Sequence, residues 1–146
     1  GGNKCYLPTG WTGLAESDDG VTWNKVAGNL EQGAVFGPDP DAQNAWDGVH
    51  TGVGDVVRFK NGTLHMYYLG GSNEKLSIGP GSIAGFRMRI GKAVSENGGK
   101  TWNRQGVSLD YDDSEGLFAS WPRIVVPSDD DLGDEVDRTG KKPWRM

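Results

Sequence analysis

"VVRFKNGTLHMYYLGG", residues 56–71, decides the fold. Apolar and β-prone side chains fill 56–59 and 64–69, and Asn61-Gly62 stands between them. An Asn-Gly pair between strand-like runs is the strongest short-range hairpin signal, because both residues accept the positive φ of a tight turn. The expectation is two antiparallel strands over 53–59 and 63–70, joined by a two-residue turn at Asn61-Gly62. Asn61-Gly62-Thr63 is also an N-glycosylation sequon, although the turn accounts for these residues without a sugar.

Working outward, "FRMRIGKAVS" (86–95) sets Phe86, Met88 and Ile90 in alternation with Arg87, Arg89 and Gly91. That period of two describes a half-buried strand. "SENGGKTWN" (95–103) then supplies turn chemistry followed by Thr101 and Trp102, which open a fourth strand over 101–104. Four consecutive antiparallel strands form a meander, the shape of one propeller blade. Residues 72–85, "SNEKLSIGPGSIAG", read as a Gly/Ser/Pro-rich loop between the second and third strands.

The last turn has a near twin. "GLAESDDGVTWNKV" (13–26) repeats "GKAVSENGGKTWNRQ" (91–105). With one inserted glycine, Gly13, Ala15, Ser17, Gly20, Thr22, Trp23 and Asn24 match Gly91, Ala93, Ser95, Gly98, Thr101, Trp102 and Asn103. Such a repeat is a structural signature. Each copy predicts a hairpin, with Trp23 and Trp102 in equivalent, largely buried places. The fold class expected is all-β: about one and a half blades of a five-bladed β-propeller within residues 1–127. Residues 13–26 form a half blade, 53–105 a full blade, and "WPRIVVP" (121–127) the innermost strand of the next. Residues 128–146, acidic and then basic, read as an extended arm ordered against something else.

Composition agrees and excludes several functions. The 24 glycines, seven prolines and six tryptophans among 146 residues suit many short strands joined by tight turns. A net charge of −5 argues against nucleic acid or an anionic membrane as the main partner, since both are polyanions. No apolar run approaches the ~18 residues that cross a bilayer as a helix. Cys5 is the single cysteine and reads as a free thiol. The opening "GGNKC", without an initiator Met, fits a processed protein. "DYDDSE" (110–115) and "SDDD" (128–131) offer oxygen ligands but lack EF-hand spacing, and they read as solvated loops. No metal site, cofactor, phosphate loop or Ser-His-Asp arrangement is expected.

"GLAESDDGVTW", "AWDGVHTGVGDVVRFKNGTLHMYYLGG", "RIGKAVSENGGKTW" and "GLFASWPRIVV", taken in that order, resemble the glycosidase-type five-bladed β-propellers of the arabinanase, levansucrase and invertase group. The resemblance covers roughly residues 13–126 and is closest to plant and algal members thought to be plastid-directed. The spacing of Ser95, Asn97, Gly99, Thr101 and Trp102 is also similar to the Asp-box of sialidase-like propellers, with Asn in place of Asp.

What the resemblance implies is a ring of carboxylates near the propeller axis, one acid protonating the leaving oxygen and another acting as base or nucleophile. Setting "WDGVHTGVGDVV" against "SEGLFASWPRIV" places Asp47 opposite Glu115, His50 opposite Phe118, and Asp55 opposite Arg123. By this likeness Asp47, Glu115 and Asp55 are the candidate catalytic acids. Trp121 is the candidate sugar-stacking platform, and His50 and Arg123 would line the same substrate site. The plainer reading makes "DGVH" and "SEGL" turns leading into strands, and gives Asp55 or Arg123 an ion pair or a backbone cap.

The departure from the family is length, because a closed five-bladed ring needs far more chain. The function expected is therefore a non-catalytic interaction module, an accessory or structural subunit of a larger protein assembly. A plastid membrane complex, with the chain on its soluble face, fits the likeness; secretion ranks second. The alternative is a glycoside hydrolase-like propeller, or a fragment of one, acting on a plant or algal polysaccharide.

Overall fold

The structure, a computed structural model, describes residues 10–39, 45–126 and 145–146. A short hairpin comes first, β1 (Leu14–Glu16) paired antiparallel with β2 (Asn24–Val26). A 3-10 turn at Glu31–Gly33 follows. The central sheet contains β3 (His50–Arg58), β4 (Leu64–Gly71), β7 (Met88–Ser95) and β8 (Asn103–Leu109). Its spatial order is β3-β4-β7-β8, antiparallel throughout, which is the expected four-stranded meander. The chain is all-β, and among the described residues no sheet closes on itself.

The Asn61-Gly62 turn is one residue longer than expected. Arg58 pairs with Leu64, the Phe59 amide donates to the Thr63 carbonyl at 2.9 Å, and the Gly62 amide donates back to the Phe59 carbonyl at 3.0 Å. Lys60, Asn61 and Gly62 therefore form a three-residue loop. Gly62 takes φ +88°, the left-handed position that ends such hairpins. Asn61 Oδ1 accepts from the Thr63 amide at 2.9 Å, so both turn residues act locally.

Residues 72–85 are more ordered than a loop. They form a second hairpin, β5 (Lys75–Ile78) with β6 (Gly81–Ala84), turning at Gly79-Pro80 with Gly79 at φ +56°. Leu76 anchors it by burial. The glycines and serines suggested irregular chain, and the alternation of Leu76 and Ile78 with polar residues was too short to outweigh them.

Both faces of the central sheet are covered, which is why β4 is apolar on successive residues rather than alternate ones. Met66, Tyr68 and Ala93 pack with Phe36 on one face, where Trp46 and Trp102 join them. Leu69, Met88 and Ile90 pack on the other, against Tyr67 and Ala119.

The covering segment on that second face contains the expected inner strand, residues 121–127. Its described part, 121–126, forms no strand; one bridge joins Val125 to Arg145. Trp121 adopts φ +48°, and Pro122 has no N–H to give to a ladder. The segment is instead pinned at intervals. The Ala119 amide donates to the Met88 carbonyl at 3.1 Å, Ile124 N to Asp55 Oδ2 at 2.9 Å, and Arg123 Nη1 to the Gly54 carbonyl at 3.2 Å. Gly54, at a register irregularity in β3, permits the approach, because a Cβ there would lie 2.4 Å from Pro122. Residues 127–144 of the expected arm and inner strand lie outside the described residues, as does Cys5.

The two copies of the repeat form matching turns. Ser17 Oγ accepts from the Gly20 amide at 2.8 Å, and Asp19 Oδ1 from the Thr22 amide at 2.7 Å. In the second copy Ser95 Oγ accepts from Gly99 N at 2.9 Å, and Asn97 Oδ1 from Thr101 N at 3.0 Å. The serine closes the loop and the acid or amide caps the return strand. The tryptophans diverge. Trp102 packs on the Phe36 cluster and its indole donates to the Gly99 carbonyl at 2.9 Å, whereas Trp23 is 60 % exposed. Trp23 sits on a hairpin that, among the described residues, has two strands and no third to cover the indole.

Candidate functional site

Asp47 is the most committed of the expected acids. Glycines at 70 and 91 leave two gaps on the sheet face, and the 46–47 turn fills them. A Cβ on Gly70 would lie 2.4 Å from the Asp47 Cβ, and one on Gly91 would lie 2.2 Å from the Trp46 ring. Trp46 stacks at a tilt on Tyr68, centroids 5.4 Å apart. Asp47, 1 % exposed, accepts at Oδ2 from the Tyr68 hydroxyl at 2.8 Å and from Arg104 Nε at 2.9 Å. Arg104 also donates to the Gly37 carbonyl and lies over the Phe36 ring, 4.5 Å from its centroid. Burial, and then the neighbouring Asp47 charge, push the Tyr68 hydroxyl well above the usual phenol range, so it remains a donor to the carboxylate. A buried carboxylate of this kind is stable only because it is paired and hydrogen-bonded, here by the buried Tyr68 hydroxyl and the partly exposed Arg104.

Glu115 occupies a different setting. It is exposed, on a turn in which the Asp112 carbonyl accepts from the amides of Glu115 and Gly116, each at 3.0 Å. Ser114 caps the same turn by donating its hydroxyl to Asp112 Oδ1 at 2.6 Å. Asp55 caps the backbone, accepting from its own neighbour Val56 N and from Ile124 N, both at 2.9 Å. Arg123 holds the Gly54 carbonyl, as noted above.

His50 and Trp121 do come together. With Gly10, Thr51, Gly52, Leu69, Phe86 and Met88 they line an open cavity of about 230 Å³ at the end of the sheet where β3 and β7 begin. It lies on the Leu69 face, opposite Asp47. Thr51 donates its hydroxyl to the Gly10 carbonyl at 3.0 Å, which uses its one donor. His50 Nδ1 is buried and has no hydrogen-bond partner. Burial lowers the His50 pKa, so the imidazole is neutral near pH 7. Trp121 stands at the rim, 68 % exposed.

A second polar centre has no counterpart among the expected site residues. Arg89 reaches Glu74 at 2.9 Å and Asp110 at 2.8 Å, while Arg87 reaches Asp113 at 2.9 Å. Arg87 Nε lies 3.7 Å from Glu74, beyond hydrogen-bond length, and is otherwise without a partner. Both guanidinium groups stack on Tyr111, at 4.0 and 5.0 Å from its centroid. This cluster ties the base of the β5–β6 hairpin to the 110–113 loop.

The partners of Asp47 were invisible to motif reading because Tyr68 and Arg104 lie 21 and 57 positions away. Among the described residues no group of three or more His, Cys, Asp or Glu is placed to hold a metal ion, and no helix is long and apolar enough to cross a membrane. No protein-family model, curated protein or solved structure matches the chain.

Proposed function

We propose that this chain is a non-catalytic interaction module, a propeller-type blade of the glycosidase group that serves as an accessory or structural subunit of a larger protein assembly. The observation that carries the reading is the fate of Asp47. An acid that must exchange protons with a sugar needs access to it, and Asp47 is 1 % exposed and held by Tyr68 and Arg104. Glu115 is exposed on a separate turn, so the pair does not share one environment. Support for a blade comes from the four-stranded meander with a packed layer on each face. Support for a docking role comes from the outer strands, where Val53 and Val56 of β3 and Val107 and Leu109 of β8 are 39–49 % exposed.

The test has two arms. Purified chain is offered aryl arabinosides, fructosides, xylosides and sialosides, and turnover no higher than background is expected. Turnover abolished by both Asp47→Asn and Glu115→Gln overturns the reading in favour of a glycoside hydrolase. In the second arm, photo-crosslinkers replace residues 107 and 109 in the assembled protein. Labelling of a neighbouring subunit from those positions, but not from position 96, is the expected outcome.

A further inference from the structure

We propose that the edge of β1 accepts residues 145–146 of a second copy of this chain, so that copies join head to tail by antiparallel strand pairing. The repeat defines what the first hairpin lacks. β1 and β2 correspond to β7 and β8, with Ala15 matching Ala93 and Trp23 matching Trp102. In the central sheet β7 lies between β8 and β4, and Met66 of β4 pairs with Ala93. Met66, Ala93 and Trp102 pack in one cluster. Among the described residues β1 pairs with β2 alone. Ala15 is exposed where Ala93 is buried, and Trp23 is 60 % exposed. The missing piece is a strand of the β4 type.

Residues 145–146 have that type. The alignment that sets Asp47 opposite Glu115 also sets Val57 opposite Val125. Val57 pairs with His65, and Val125 is bridged to Arg145 in the same antiparallel sense. Arg145 therefore corresponds to His65 and Met146 to Met66, and "WRM" at 144–146 matches "LHM" at 64–66. Arg145 and Val125 exchange both backbone hydrogen bonds, at 2.9 and 3.2 Å. Backbone groups alternate sides along a strand, so the N–H and C=O of Met146 face away from Val125. Carrying the β4–β7 register over to β1 puts Met146 opposite Ala15 and Arg145 opposite Glu16. The first contact lays the Met146 thioether, 51 % exposed, beside the Trp23 indole, a favourable sulfur–aromatic pairing. The second sets opposite charges across neighbouring strands. Within one copy the two ends do not meet. Thr12, just before β1, is bridged to Phe36 on one face of the central sheet, whereas the strap from Ala119 to Val125 lies on the Leu69 face. Such a head-to-tail contact closes into a ring or extends as a filament, depending on the rotation between copies. It uses the edge of β1 rather than those of β3 and β8, and does not depend on the function proposed above.

The experiment is sedimentation velocity of the full chain across a concentration series, with indole NMR of the same samples. The average mass should rise as concentration approaches ~1 mM, since so short a contact is a weak one. Glu16→Arg and Arg145→Glu should each weaken association by about tenfold, because a like-charge pair replaces an attractive one. An equimolar mixture of these two variants should recover it, because every contact between unlike copies then pairs opposite charges. Asp18→Arg, an equal change of charge just outside β1, should leave association within about twofold. The Trp23 indole resonance should shift as copies associate, and the Trp102 indole should stay in place. A chain that is monomeric throughout leaves β1 to a strand from elsewhere and overturns the proposal. Equal effects of Glu16→Arg and Asp18→Arg, no recovery on mixing, or an unmoved Trp23 indole overturns it as well.

Discussion

Arg104 and Asp47, 57 positions apart, meet at 2.9 Å on a buried face of the sheet, and the pair is unequal in its access to water. The Asp47 side chain is 2 % exposed and that of Arg104 28 %. The partner left behind by a substitution therefore determines its cost. Arg104→Ala strands a sealed carboxylate and should cost about 3–5 kcal/mol. Asp47→Asn leaves a guanidinium that still reaches water and an amide oxygen that still accepts from Tyr68, so a loss of about 1–2 kcal/mol is expected. Urea unfolding of the two variants checks the asymmetry. Equal losses would mean that the buried charge is not what holds the 46–47 turn.

The two tryptophans of the repeat should separate in the same kind of measurement. Trp102→Ala removes a half-buried indole and its hydrogen bond to Gly99, for a loss of about 2–4 kcal/mol. Trp23→Ala removes a side chain that is mostly in water and should cost less than about 1 kcal/mol. A large loss at Trp23 would show that its hairpin packs against something in solution.

Legibility followed the range of the interactions. The β3–β4 and β7–β8 hairpins could be read because Asn61-Gly62 and the 95–102 turn carry their bonds within a few residues. The β5–β6 hairpin was missed because its strands are four residues each, too short for periodicity to outweigh glycine and serine. Residues 121–126 read as a strand on side-chain type alone, and a single backbone angle at Trp121 with a missing amide at Pro122 decided otherwise. At the site, the likeness grouped His50 with Trp121, and the structure puts both on one cavity. It gave no hint of Arg104, since a buried acid's partner leaves no local mark.

Acid should weaken the fold in two steps. The His65 ring packs against Phe59, and burial followed by the Lys92 charge lowers its pKa from 6.5 to about 4. Between those values the unfolded chain binds more protons than the folded one, so stability falls as pH drops from about 6.5 to about 4. Asp19 acts lower down. The Thr22 and Val21 amides hold its pKa at about 2 against 3.8, so its contribution is present above 3.8 and disappears as pH falls through about 2. His65→Phe should flatten the upper part of the profile and leave the lower part in place. An unchanged slope between pH 6.5 and 4 would assign that step to other groups, His50 among them.

The last expectation concerns the strap that carries Trp121. Ala119 is fastened to β7 and Ile124 to the Asp55 carboxylate, so the rim of the cavity is held from both sides by groups that do not line it. Asp55→Ala leaves the Ile124 amide without its acceptor and loosens the strap at one end, where the Arg123 bond to the Gly54 carbonyl and the Val125–Arg145 bridge remain. Exchange of that amide should accelerate by about 10–100-fold, the equivalent of losing one or two kcal/mol of local protection. Asp55→Asn keeps one carbonyl oxygen, which can still serve the Ile124 amide at the expense of the bond from Val56 N, and should retain part of the protection. Amides within β4 and β7 should not change, because their partners lie in the ladder. If they accelerate together with Ile124, the strap belongs to the cooperative core and Asp55 stabilises the whole sheet. Acceleration confined to residues 121–125 identifies a segment that can move Trp121 across the cavity mouth without unfolding the blade.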